Sequence, residues 1–160
     1  MDATLLLGSN QGDRRGIIEE ALRRLTVIGR LRTRSSLYET APWGFECENS
    51  FYNMAAVYTT DLAPEDVLCV CLEVEKELGR RRVGAGYSSR PIDIDIIFCE
   101  DRIIERPDLS VPHPRMTLRN FVLVPLCEIM PGFIHPVTHK SIATLLRECP
   151  DTLPAVRLGE

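Results

Sequence analysis

The chain has 160 residues, a net charge of −4, 44% hydrophobic and 26% charged residues, enough for one well-filled core and too little for two ordinary domains with a linker. A sequence pI near 5.5 argues against the broad basic footprint of a nucleic-acid binder. No run approaches the roughly 20 apolar residues of a spanning helix, and the opening "ATLLLGSN" is too short and lacks the basic leader of a secretory signal, so a single cytoplasmic domain over residues 1–160 is expected.

In chain order, "TLLLGSN" reads as a buried strand ending in a turn. "GDRRGIIEEALRRL" follows as a helix, with Asp13 near its start and Ile17, Ile18, Ala21, Leu22 and Leu25 on one face. Gly8 and Gly12 invite a phosphate-loop reading, but the Gly-Lys-Ser/Thr ending is absent and Gly16 falls inside the helix, so that reading is set aside. "RLRTRSSLYET" reads as a strand, and "FYNMAAVYTT", beyond the loop "APWGFECENS", as a more buried one paired with it. The segment "PEDVLCVCLEVEKELG" has clear helix boundaries: Pro64 in the first turn, Glu65 and Asp66 beside it, and Gly79 as the stop. Val67, Leu68, Cys71, Val74 and Leu78 form its apolar face. The loop "RRRVGAGYSS", expected to be mobile, leads to the strand "RPIDIDIIFC". After the connection "RIIERPDLSVPHPRM" come a helix around "LRNFVLVPLCEI", a proline-punctuated tail and a helical segment near "SIATLLREC"; disorder is expected only in the last few residues. Strand, helix, strand, strand, helix, strand is the βαββαβ order of a ferredoxin-like sandwich. This α+β fold has two helices on one face of an antiparallel sheet, with a C-terminal helical portion appended in this chain.

Two features of composition bear on chemistry. The cysteines Cys47, Cys69, Cys71, Cys99, Cys127 and Cys149 have no framework spacing, and Cys69-Val-Cys71 is neither a zinc nor a redox spacing. Reduced, mostly buried thiols are expected. Lys76 and Lys140 are the only lysines, so a phosphate would be held mainly by guanidinium forks, which suit bidentate contacts to its oxygens.

The strand "RPIDIDIIFC" raises a specific question, because Asp93 and Asp95 stand where a sheet would carry apolar residues. Strand periodicity puts them on one face about 7 Å apart, with Ile92, Ile94 and Ile96 on the other. Two carboxylates held that close on a partly buried surface raise each other's pKa or recruit a cation. Magnesium fits, because it takes one or two carboxylates together with substrate phosphates. An outward-facing polar stripe explains the pattern equally well. Around the pair stand Arg80, Arg82 and Arg90 before it and His113, Arg115 and Arg119 after it. Each has an ordinary reading, as a solvated arginine or a turn histidine between prolines. Asn53 interrupts an apolar strand, where its amide needs partners; the amide edge of a heterocycle or a neighbouring loop would supply them. Phe51, on the same face, and Phe121 could stack on such a ring or belong to the core. Trp43, beside Pro42 and Gly44, is a lid or a surface plug.

The motifs "LGSNQGDR", "YETAPWG", "FYNMAAV", "EVEKELGRRR", "RPIDIDII", "VPHPRM" and "RNFVLVPLCEIMP", in that order, closely resemble the hydroxymethyldihydropterin pyrophosphokinase family of folate biosynthesis. The similarity runs from about Leu5 to about Pro131. It implies transfer of a pyrophosphoryl group from ATP to the pterin hydroxymethyl, with AMP as the other product. By the same resemblance Asp93 and Asp95 bind two magnesium ions that bridge the triphosphate. Phe51 and Phe121 sandwich the pterin, and Asn53 reads its polar edge with groups around Thr40, Pro42 and Trp43. Glu75, Arg82, Arg90, His113, Arg115 and Arg119 fall in segments that contact ATP, and Arg80 and Arg90 are the guanidiniums implied to move onto the phosphates. The expected partners are these small molecules alone, without nucleic acid or membrane, in a chain for which a monomer is the working expectation.

The pattern is not complete. Tyr87-Ser88-Ser89 stands where the family usually has Trp-Gly-Pro, and Ala41 where it usually has proline. No residue is marked out as general base, although either aspartate could assist. Two rivals remain at this level. A ferredoxin-like sandwich can be a non-catalytic ligand-binding module, and an acidic pair can serve a metal-dependent nuclease, a reading that the missing basic footprint disfavours.

Overall fold

The apolar run near the start of the chain becomes an interior strand of the sheet. β1 (Asp2–Ser9) is buried from Ala3 onward, as expected of a strand paired on both edges and packed on both faces over most of its length. The chain is represented by a computed structural model that describes residues 1–41, 50–79 and 91–159.

A turn with Gly12 at φ +66° leads into α1 (Arg14–Arg24), where Asp13 caps the helix by accepting the Gly16 amide at 3.1 Å. The single strand expected over "RLRTRSSLYET" is two, β2 (Gly29–Arg34) and β3 (Tyr38–Thr40). The break has a local cause at Ser35, which donates its amide to the Ala55 carbonyl at 2.8 Å and accepts the Ala55 amide on Oγ at 2.9 Å. A side chain thereby replaces one rung of the ladder and bends the strand. Both pieces pair antiparallel with β4 (Phe51–Thr60), and Thr40 lies opposite Phe51 at the mouth of the expected hairpin. α2 (Pro64–Glu77) follows, with Gly79 just beyond it at φ +96°, a backbone conformation that glycine adopts without strain. β5 (Asp93–Cys99) then returns beside β1.

The remainder holds more strand than expected. A two-stranded ribbon of β6 (Ile104–Glu105) and β7 (Ser110–Val111) occupies the connection after β5. α3 (Asn120–Ile129) and α4 (Ile142–Glu148) follow. The chain's last residues, expected to be disordered, include β8 (Ala155–Arg157), which pairs with β3. The main sheet is antiparallel in the order β5-β1-β4-β3-β8, with β2 also on β4.

Alternation along β1 divides the molecule into layers. Ala3, Leu5 and Leu7 point with Met54, Ala56, Ile94 and Ile96 toward α1 and α2. Leu6, Ala55, Ile97 and Phe98 point the other way, against Val122, Leu123 and Leu126 of α3 and Ile142 of α4. The second face is therefore not free over its whole area, as a bare two-layer sandwich would leave it: the appended helices cover part. Each fully buried aliphatic side chain in these layers contributes about 1.5–3 kcal/mol by leaving water. Tyr58 lies in the first layer with no exposed surface and still satisfies its hydroxyl, which donates to the Leu22 carbonyl at 2.9 Å. The thiols are less buried than expected. Among the described cysteines only Cys71 and Cys99 are buried, Cys127 and Cys149 are half-buried, and Cys69 is exposed.

Candidate active site

The uncovered part of the second face lies at the Ser9 end of β1. In the ladder Asp95 sits opposite Leu6, and Asp93 opposite Gly8, so both carboxylates project from this face while Ile94 and Ile96 enter the core on the other. Past Ile96 the pairing skips Ile97, which lets the strand bury every residue from Ile96 to Cys99 after alternating up to that point. The strand is held at its polar end by Glu75 of α2, a 4%-exposed carboxylate whose Oε2 accepts the Ile94 amide at 2.8 Å.

Across β1, Gly8 faces Asn53 of β4, and Asn53 faces Tyr38 of β3. Asn53 is 3% exposed, and its Nδ2 donates to Thr40 Oγ1 at 2.7 Å, so a protein partner does fix the amide. A Cβ on Gly8 would stand 2.8 Å from Asn53 Oδ1; the absent side chain is what lets that carbonyl sit between the strands. Phe51 is two residues from Asn53 on the same face, and Phe121 approaches from the first turn of α3.

His113 closes the other side. Its amide donates to the Ile97 carbonyl at 3.0 Å, and its Nδ1 accepts the Arg115 amide at 3.2 Å, which leaves the proton of the neutral ring on Nε2. Burial, with Arg119 next in weight, pushes its pKa down to about 4 despite the opposing pull of Asp93, so the ring is neutral near pH 7. Arg119 is 5% exposed, with its guanidinium carbon 5.4 Å from the Phe121 ring centroid.

These groups line one cavity of about 530 Å³, a size suited to small-molecule substrates. Asp93 and Asp95 supply hard oxygen donors, and among the described residues no third His, Cys, Asp or Glu joins a cluster able to hold a metal. That donor set suits magnesium, which keeps waters and substrate phosphates as most of its ligands.

The profile of the 7,8-dihydro-6-hydroxymethylpterin-pyrophosphokinase family matches residues 4–131. This chain belongs to that family. A 2-amino-4-hydroxy-6-hydroxymethyldihydropteridine pyrophosphokinase of Porphyromonas gingivalis is 43% identical over 136 residues, which is 82% of this chain and 92% of the relative. The enzyme of the same name from Aquifex aeolicus is 39% identical over 136 residues, 85% of this chain and 84% of the relative. Among solved structures, wild-type Plasmodium falciparum HPPK-DHPS with pteroate shares the fold with a TM-score of 0.75 at 20% identity; the match covers 92% of this chain and 42% of that longer one.

Of the residues that the pyrophosphokinase resemblance singled out, Thr40, Phe51, Asn53 and Phe121 line the cavity on the β3–β4 side. Glu75, Asp93, Asp95, His113, Arg115 and Arg119 line it on the β5 side. Pro42, Trp43, Arg80, Arg82, Arg90 and the departure at Tyr87-Ser88-Ser89 lie outside the described residues. Ala41 is exposed at the cavity rim. Sequence reasoning missed several contributors to the wall, among them Gly8, Leu72 and Leu109. Gly8 was considered only for a phosphate loop, although a glycine at the end of a strand signals close approach. Leu72 of α2 is apolar, 42% exposed and turned into the cavity, and it stands out only once the helix face is known. The turn of the β6–β7 ribbon contributes Leu109, whose strand context was too short to recognise.

Proposed function

We propose that this chain transfers a pyrophosphoryl group from ATP to the hydroxymethyl group of 6-hydroxymethyl-7,8-dihydropterin, giving the pterin diphosphate and AMP in folate biosynthesis. The observation that carries the reading is that the acidic pair and the Asn53 amide, read separately in the sequence, open onto one cavity from the two strands that flank β1. Family membership and the names of the relatives support the same activity.

The pterin takes the β3–β4 side, stacked between Phe51 and Phe121, with its amide edge toward Asn53. The triphosphate crosses the aspartates, and the apolar Leu72 and Leu109 offer a surface to the adenine. His113 donates through Nε2–H to a phosphate oxygen, and Arg115 and Arg119 neutralise charge beside it. Asp93 and Asp95 would hold magnesium, two ions in this reading, which would supply neutralisation of the charge on the phosphate groups. What the chain itself contributes is alignment: the pterin hydroxyl approaches the β-phosphorus in line with the bond to the α-phosphate oxygen. No side chain is singled out as general base for the hydroxyl, although either aspartate of the pair could assist. Arg80, Arg82 and Arg90, with Pro42 and Trp43, complete the set in this reading.

The architecture is read as a ferredoxin-like βαββαβ sandwich, supported by the strand order with β1 between β4 and β5. Residues 1–160 are read as a single domain acting as a cytoplasmic monomer on small molecules, without nucleic acid or membrane. Among the described residues no helix is long and apolar enough to cross a membrane. Chromatography of a reaction with ATP, magnesium and hydroxymethyldihydropterin tests the chemistry. Equal amounts of AMP and pterin diphosphate are expected; ADP as the nucleotide product would overturn the proposal.

A further inference from the structure

We propose that Arg14 is a positioning residue for the pterin end of the cavity, acting through the strand ends behind it. The inference rests on the pterin assignment above and adds to it a residue outside the cavity wall.

Arg14 opens α1 and reaches across to the point where β3 leaves the sheet and β4 enters it. Its Nη1 donates to the Ser50 carbonyl at 2.9 Å and to Ser50 Oγ at 3.0 Å. The same nitrogen lies 3.8 Å from Glu39 Oε2, and the guanidinium carbon stands 3.8 Å from the centroid of the Tyr52 ring. Ser50 Oγ closes the circuit by donating to Glu39 Oε2 at 3.0 Å. One guanidinium thus ties together three residues on two strand ends. The Arg14 side chain is 26% exposed, so the contacts are partly shielded from water.

The ladder explains why this matters for the other face. Glu39 lies opposite Tyr52, and Thr40 lies opposite Phe51. Neighbouring residues on a strand point to opposite faces, so the braced pair is the back of the pair that borders the cavity. Holding Glu39 and Tyr52 fixes the backbone from which Thr40 and Phe51 project, and Thr40 in turn accepts from Asn53. A displacement of about 1 Å there is enough to lose much of the alignment on which phosphoryl transfer depends. Lysine could keep the charge near Glu39. It could not reproduce the planar group that stacks on Tyr52 while bonding Ser50.

The test compares Arg14→Ala, Arg14→Lys and, as a control, Arg24→Ala. Arg24 is on the same helix and pairs with Glu20 and Glu77, away from the cavity. Arg14→Ala is expected to raise the KM for hydroxymethyldihydropterin about tenfold while leaving the KM for ATP within about twofold, with Arg14→Lys intermediate and Arg24→Ala like wild type. Amide hydrogen exchange in the protein without substrates should quicken across Tyr38–Thr40 and Phe51–Asn53 and stay unchanged along the β1–β5 ladder. An unchanged pterin KM, unchanged exchange at those strand ends, or proportional loss for both substrates with a lowered melting temperature would overturn the proposal. A wild type that forms no pterin-dependent AMP would instead overturn the proposed function, a result read without any variant, and would remove the pterin role of Arg14 with it.

Discussion

Phe121 and His113 are the side chains at which an ordinary structural role and a functional one separate most cleanly. Phe121 is half-buried against the α3 layer and lines the cavity, so Phe121→Ala distinguishes core from stacking platform. Pterin affinity, followed by fluorescence titration, should fall about tenfold or more through the lost ring contact. ATP affinity should change little, and equal losses for the two ligands would make Phe121 a core residue. For His113 the sign of the pH effect is fixed by the direction of its shift. The folded-state value is near 4 against an ordinary 6.5, mainly through burial, so the unfolded chain binds the extra proton between those pH values. Stability contributed by the neutral ring is present above about pH 6.5 and is lost as pH falls toward 4. The ring keeps some contact with water, so the loss is on the order of 2 kcal/mol. His113→Asn should flatten that limb in denaturant melts of the substrate-free protein; an unchanged slope would mean that the ring titrates normally.

Among the elements, α3 is fastened to the sheet by one carboxylate. Glu128 accepts from the Ser36 amide at 3.1 and 3.0 Å, from Ser36 Oγ at 3.2 Å and from Tyr38 Oη at 2.6 Å. Burial disfavours its charge, but the bonds from Tyr38 and Ser36 outweigh this and hold the carboxyl below its usual range. The Tyr38 hydroxyl is pushed up to about 12, first by burial and then by Glu128. Glu128→Ala should cost about 1–2 kcal/mol and several degrees of melting temperature; a loss within experimental error would mean that the apolar face of α3 alone seats it. This contact also shows why boundaries differ in how readily they are read. α2 announces both ends, with Pro64 at its start and Gly79 at its stop, whereas the Ser35 break depends on a bond to Ala55, which lies 20 residues on. Local chemistry marks the first kind of boundary, and only tertiary pairing marks the second.

Across the whole molecule, the sheet separates two cores, and the described thiols report on it. Burial pushes Cys99 up to about 11 and Cys71 far above the usual thiol range, while Cys69 is exposed. A thiol reagent at neutral pH should modify Cys69 quickly in the native protein and reach Cys71 and Cys99 only at the rate of global opening. Reaction of all three at one rate would contradict the layering. Two-residue periodicity at Asp93 and Asp95 placed both aspartates on a single face from sequence alone, and the antiparallel sheet was likewise readable from the strand, helix, strand, strand, helix, strand order. β8 was not, since Ala155–Arg157 is too short and too exposed to carry any pattern. That α3 and α4 cover part of the second face also escaped reading, because an amphipathic helix states that it packs without stating against what.

The most direct measurement is pterin-dependent AMP formation by Asp95→Ala beside wild type, at several magnesium concentrations. Wild type should form AMP only with magnesium and hydroxymethyldihydropterin present. The variant should lose at least about a hundredfold in rate while melting within a few degrees of wild type, because a half-buried polar side chain rather than core volume is removed. Activity within a few-fold of wild type in a folded Asp95→Ala protein would contradict the assignment of the acidic pair as the metal-bearing centre.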